Sequence, residues 1–82
     1  MEFLIREYVN KLTEQNIREF ANKNGINPPD EEIKIIYLYI KNYWQVFYKG
    51  NAKDLFAELQ EKLSPSTYDM AIKLFNKYKS KI

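Results

Sequence analysis

The chain has no cysteine and no histidine among its 82 residues. Without cysteine there can be no disulfide framework, no zinc-thiolate centre and no thiol nucleophile. A domain this small without disulfides suits a reducing compartment. Without histidine the usual general base near neutral pH is missing, as is the commonest metal ligand. Glycine occurs only at Gly25 and Gly50, so a glycine-rich phosphate-binding loop is excluded. Arginine is confined to Arg6 and Arg18. The formal charge of +2 is too small to imply a nucleic-acid or membrane partner by itself.

Long apolar runs are also scarce. The longest, Ile33 to Tyr48, is shorter than the ~20 residues a membrane span needs and carries Lys34 and Lys41. Glu2, Arg6 and Glu7 break up the first residues, so no secretory leader is expected there. The expectation is a soluble cytoplasmic protein with no membrane partner.

What is present is hydrophobic mass. Apolar residues make up 45% of the chain and aromatics 16%, with seven Tyr, five Phe and one Trp. That excludes a disordered chain. Eighty-two residues make one domain, 1–82, which must pack well because small domains bury a smaller share of their surface.

The periodicity is helical throughout. Leu4, Ile5, Tyr8, Val9 and Leu12 share one face of a first helix. Thr13 is a good N-cap for a second helix, 14–23, with Leu12 and Ile17 spaced as a hydrophobic staple. Asn24-Gly25 ends it, Gly25 taking the left-handed conformation and Ile26 folding back on the last turn. Asn27-Pro28-Pro29-Asp30 then starts a long central helix, with Asp30, Glu31 and Glu32 at the positive end of its dipole. Lys49-Gly50-Asn51 stops it. Asn51 can cap a fourth helix, 52–63, whose apolar face is Leu55, Phe56, Leu59 and Leu63. Ser64-Pro65 opens a fifth, Ser as N-cap and Pro at N1, with Ser66 and Asp69 as an alternative start. That helix runs to about Lys79 and presents Tyr68, Ala71, Ile72, Phe75, Tyr78 and Ile82.

The expected fold class is therefore all-α: a compact bundle of about five helices. A long central helix (about 29–48) is packed by a helical hairpin before it and another after it. At ~100° per residue its apolar positions fill an arc of roughly 200°, about twice the stripe of an ordinary surface helix. On that wheel the arc runs in the order Ile35, Val46, Tyr39, Tyr43, Ile36, Phe47, Ile40, Ile33, Trp44 and Tyr37. Lys34, Lys41 and Gln45 make the polar stripe, joined by Leu38 and Tyr48. Asn42 and the strand-forming Tyr43, Val46, Phe47 and Tyr48 are the strongest break signals inside it. An unbroken helix is the expectation.

Three segments carry a resemblance to a known family: LTEQNIREFANKNGI (12–26), the KGN break (49–51), and LFAELQEKLSPSTYDMAIKLFNKYK (55–79). With the long helix between them, they resemble the YqfT-like family of small helical proteins of unknown function from low-GC Gram-positive bacteria. The likeness rests on capping and packing features and spans nearly the whole chain. Lys41-Asn42 followed by Tyr43-Trp44 departs from the Arg-Gly break of that family. The resemblance implies a bacterial cytoplasmic helical domain and brings no functional residues.

Chemistry-bearing clusters are few. Asp30-Glu31-Glu32 is the densest acidic group, but adjacent carboxylates on one turn diverge, and dipole stabilisation explains them. Ser64, Ser66 and Thr67 have no histidine to activate them. No catalytic residue, cofactor, metal or small-molecule substrate is expected, and the protein is read as non-enzymatic.

Two surfaces remain. Charge alternates along the chain: residues 33–53 and 70–82 each hold four Lys and no acid. Lys49, Lys53, Lys73, Lys77, Lys79 and Lys81 are thus a candidate basic patch for nucleic acid, through phosphate contacts beside stacking Tyr. The plainer account is that Lys near a helix C-terminus is favourable in any helix. If four short helices cannot cover the central arc, an apolar edge is left for a protein partner or a homodimer. Tyr37, Leu38, Trp44 and Tyr48 are the candidate interface. An interaction module using this aromatic edge is the leading expectation, and a nucleic-acid accessory role the alternative.

Overall fold

A computed structural model describes the backbone of residues 2–79 and the side chains of residues 4–77. Five helices follow in order: α1 (Glu2–Lys11), α2 (Glu14–Lys23), α3 (Asp30–Lys49), α4 (Lys53–Lys62) and α5 (Pro65–Lys79). There is no strand among the described residues. The chain is an all-α bundle built around α3, the longest helix, whose 20 residues are about 30 Å long by helical rise.

The core is a seam of Ile33, Ile36 and Ile40 on α3, met by residues from every other helix. Ile5 and Val9 come from α1, Ile17 and Ala21 from α2, Leu59 from α4, and Met70, Ala71 and Leu74 from α5. Each fully buried Ile or Leu contributes about 1.5–3 kcal/mol over an exposed one. Phe47, Phe56 and Phe75 add a second cluster joining α3, α4 and α5. Phe47 stacks on Phe75 at 4.4 Å, and both lie within 5.7 Å of Phe56.

The joints follow the local signals. Thr13 caps α2 by accepting from the Asn16 amide at 3.1 Å, while the Asn16 side chain accepts from the Thr13 amide at 3.0 Å. Asn thus takes the place in the capping box usually held by Glu or Gln. Leu12 and Ile17, the staple pair, are both buried. At the other end, Gly25 has φ +81. The amides of Gly25 and Ile26 donate to Asn22 and Ala21, which closes a Schellman motif.

Three details differ from expectation. Pro29 is the residue before α3, not part of its first turn, and Pro28 is buried in the joint. The side chain of Asn51 accepts from the Lys53 amide at 3.1 Å, so the turn it makes places Ala52, not Asn51, at the start of α4. Central helix α3 reaches Lys49 but is kinked: Tyr43 has φ −129 and ψ 16, outside helical values. The break signals at Asn42 and Tyr43 bend the helix without ending it. On one side of the bend α3 is anchored by the isoleucine seam, on the other by Phe47 in the phenylalanine cluster. Ile82 lies outside the described residues, as does the side chain of Tyr78.

Nothing lies within 4 Å of a Cβ added at Gly25, so a substitution there meets backbone strain alone. Gly25→Ala should lower stability by about 1–2 kcal/mol. Gly25→Asn should lose less, because Asn tolerates the left-handed region. Denaturant titration of the two variants beside the parent checks this order.

Candidate functional site

The wide apolar arc of α3 has two borders, and the structure covers one of them. Helix α1 lies along the border that carries Tyr37, Trp44 and Tyr48. Lys41 sits between these residues on the same line of the helix and reaches across to the end of α1. Its ammonium donates to the Val9 carbonyl at 2.5 Å and to the Asn10 carbonyl at 3.3 Å. These are carbonyls of the last turn of α1, where a cation is favoured by both hydrogen bonding and the dipole. The same ammonium lies 5.3 Å from the ring centre of Tyr37, and Arg6 of α1 lies 5.9 Å from that of Trp44.

Lys41 is half-buried and fastens α1, so it is not part of a solvated stripe. Tyr37, Trp44 and Tyr48 are half-buried. Trp44 and Tyr48 line an apolar cleft with Ile5, Val9, Ile40, Phe47, Phe75 and Asn76, between α1, α3 and α5. Of the four candidate interface residues, only Leu38 is exposed, at 43%.

The opposite border is open. Tyr43 is 42% exposed and Val46 37%. Leu38 is also exposed and Ile35 half-buried on α3, with the polar Asn42 and Gln45 exposed on the same helix. Tyr43 and Val46 both belong to the apolar arc. Val46 lies near its Ile35 border, but no local signal says which part of the arc a neighbouring helix will cover. Tyr39 marks the limit of cover on this side: its hydroxyl donates to Glu58 of α4 at 2.8 Å, and its ring lies 5.5 Å from that of Tyr43. The hydrogen bond to Glu58, helped by burial and by that carboxylate's charge, pushes the Tyr39 phenol up to about 12 from 10.0.

Two more polar contacts fix the remaining helices. Arg18 of α2 donates to Asn27 at 2.7 Å and to the Pro28 carbonyl at 3.0 Å, and pairs with Asp30 at the start of α3. Glu32 of α3 accepts from the backbone amide and hydroxyl of Ser64, at 3.0 and 2.9 Å. The Ser64 hydroxyl in turn lies 3.0 Å from that of buried Thr67. Burial pushes the Glu32 carboxyl up, but hydrogen bonds from Thr67 and from the amide and hydroxyl of Ser64 outweigh it and hold it below its ordinary 4.5. The acidic cluster therefore divides: Asp30 holds α2, Glu32 caps α5, and Glu31 faces solvent.

The basic residues are spread over different parts of the surface. Lys77 lies 5.2 Å from the ring centre of Phe20, in a basin it shares with Glu19 and Lys23 of α2. Lys73 is exposed on α5, and Lys49 and Lys53 are exposed where α3 passes into α4. Lys81 lies outside the described residues, as does the side chain of Lys79. No group of three acidic residues among the described residues could hold a metal ion. No helix among them is long and apolar enough to cross a membrane. What the site offers chemically is apolar contact: an aromatic cleft between α1, α3 and α5, and the exposed Leu38, Tyr43 and Val46 elsewhere on α3.

No protein-family profile, curated protein or solved structure matches the chain.

Two outcomes follow from these contacts. Lys41→Met keeps the apolar stem and removes the cation, so it should cost about 1–3 kcal/mol in denaturant titration. Trp44, the sole tryptophan, should report a looser α1 by a red-shifted emission. Tyr39 keeps its proton in the folded chain while the unfolded chain loses it, so the stability it adds is full below pH 10 and lost as pH rises towards 12. Tyr39→Phe should remove a component near pH 12 from the phenolate absorbance titration and flatten that part of the alkaline stability profile.

Proposed function

We propose that the chain is a non-enzymatic protein-interaction module of a bacterial cytoplasm that binds through the outer face of α3. The observation that carries this reading is the exposure of three large apolar residues, Leu38, Tyr43 and Val46, on one helix. Single exposed apolar residues are ordinary, but three on one helix are the kind of surface that a partner covers. They also stand on a firm base: Ile33, Ile36 and Ile40 hold the inner side of the same helix, so these residues are presented with little conformational freedom to lose on binding. The lack of cysteine and histidine agrees with a binding role and with a reducing compartment. The likeness of residues 12–26 and 55–79 to YqfT-like proteins supports the bacterial setting.

The absence of cysteine makes a direct test simple. L38C gives a single attachment point for a thiol-linked photocrosslinker, and K73C on α5 serves as the control. In extract of the source cell, the label at position 38 should trap a discrete protein adduct that the label at position 73 does not. Adding V46E should remove that adduct while leaving the helical circular dichroism unchanged. Equal adducts from the two labelled positions would overturn the reading.

A further inference from the structure

Whatever binds the exposed residues of α3, we infer that α4 is a lid, a helix that opens locally while the other four stay folded. The observation is how little holds its interior. Seven of its ten residues are exposed, Leu55 and Phe56 are half-buried, and Leu59 alone is fully buried. Helix α5, by contrast, buries Thr67, Met70, Ala71 and Leu74. Among the described residues, the bond from Tyr39 to Glu58 is the one side-chain hydrogen bond that joins α4 to another helix, and Glu58 itself is exposed. Half-buried Lys41 gives α1 two.

The ends of α4 are held better than its middle. Ala52 before it and Leu63 after it are buried. Ser64, the next residue, is fixed by Glu32 through both its amide and its hydroxyl. The segment between these ends can therefore release without freeing α5 from α3. Once released it does not persist as a helix, because ten residues are too few to be stable alone in water. A segment with few buried apolar contacts opens at a lower free energy than the whole chain.

Contacts on the two sides of the bend in α3 show what lies under the lid. Before the bend, Tyr39 meets Glu58. After it, the Phe47 ring centre lies 5.2 Å from that of Phe56, and Phe75 of α5 lies 5.7 Å from the same ring. Tyr43, between them in the chain, is already exposed, with its ring 5.5 Å from that of Tyr39. Opening of α4 thus adds Tyr39, Phe47 and Phe75 to the aromatic surface that Tyr43 presents in the closed form. Phe47 and Phe75 stack on each other at 4.4 Å, a contact that does not need α4. Any molecule that engages the covered rings binds with its affinity lowered in proportion to the open fraction.

Native-state hydrogen exchange of the whole chain, in steps of denaturant below the unfolding transition, tests the inference. Amides of residues 56–62 should exchange about a hundredfold faster than those of residues 36–40. Their rates should stay nearly flat as denaturant rises while those of α3 climb, because local opening exposes little new surface. Two substitutions separate local from global opening. Tyr39→Phe removes a bond that both kinds of opening break, so it should raise the rates in α4 and α3 alike. Lys41→Met removes a contact that survives when α4 opens. It should raise the rates in α3 about tenfold and leave those in α4 unchanged. Rates in α4 that equal those of α3, or that climb with denaturant in step with them, would overturn the lid. So would an acceleration of α4 by Lys41→Met as large as that of α3. If Lys41→Met does not fold, the denaturant series on the parent decides by itself.

Discussion

Ile33, Ile36 and Ile40 have to be kept from water along one side of the longest helix. No short helix can do that alone. Each of the four others covers a part and is held to α3, or to its entry, by a polar contact of its own. Lys41 takes the last turn of α1, Arg18 ties α2 to the first residue of α3, Tyr39 holds Glu58 of α4, and Glu32 caps α5 through Ser64. Burial of the seam supplies most of the stabilisation, but it is non-directional and would accept many helix placements. The hydrogen bonds are worth less individually, yet each is satisfied in one placement only. Together the apolar seam and the four contacts specify one arrangement.

That division of labour decides which part of α3 is left open. An arc of about 200° is more than its neighbours can cover. Lys41 draws α1 onto the border with Tyr37, Trp44 and Tyr48, and the phenylalanine cluster draws α4 and α5 onto Phe47. Leu38, Tyr43 and Val46 are what remains. Their exposure is thus a product of how the buried side is fastened, with the Tyr39–Glu58 contact marking where the cover of α4 ends.

Features set by residues close in the chain were legible in the sequence. The Leu12–Ile17 staple, the Thr13 cap, the left-handed Gly25 and the Ser64-Pro65 entry each depend on partners within about five positions. So does the place of the bend, where Asn42 and Tyr43 disfavour helix, although a bend was not distinguished there from an unbroken helix. The polar contacts between helices were not legible. Lys41 and Val9 are 32 residues apart, as are Glu32 and Ser64. Periodicity says that Lys41 lies off the apolar arc but not that a helix end comes to meet it. The same holds for the candidate site. A wide arc implies that some edge is left uncovered, but how far Tyr37, Trp44 and Tyr48 are covered depends on where α1 lands, which no local signal gives.

A scaffold specified in this way is tolerant of drift. Its interior asks only for apolar side chains of suitable volume, which exchange for one another at modest cost. Its joints accept any residue that can cap or turn. What cannot drift freely is the small set of side chains that reach from one helix to the end of another, Lys41 foremost. Chains could diverge until little identity remained and still fold alike, provided that a long basic side chain stood where it could meet the exit of the first helix. Kinship in such a fold would be written in a few reaching residues and the distances between them.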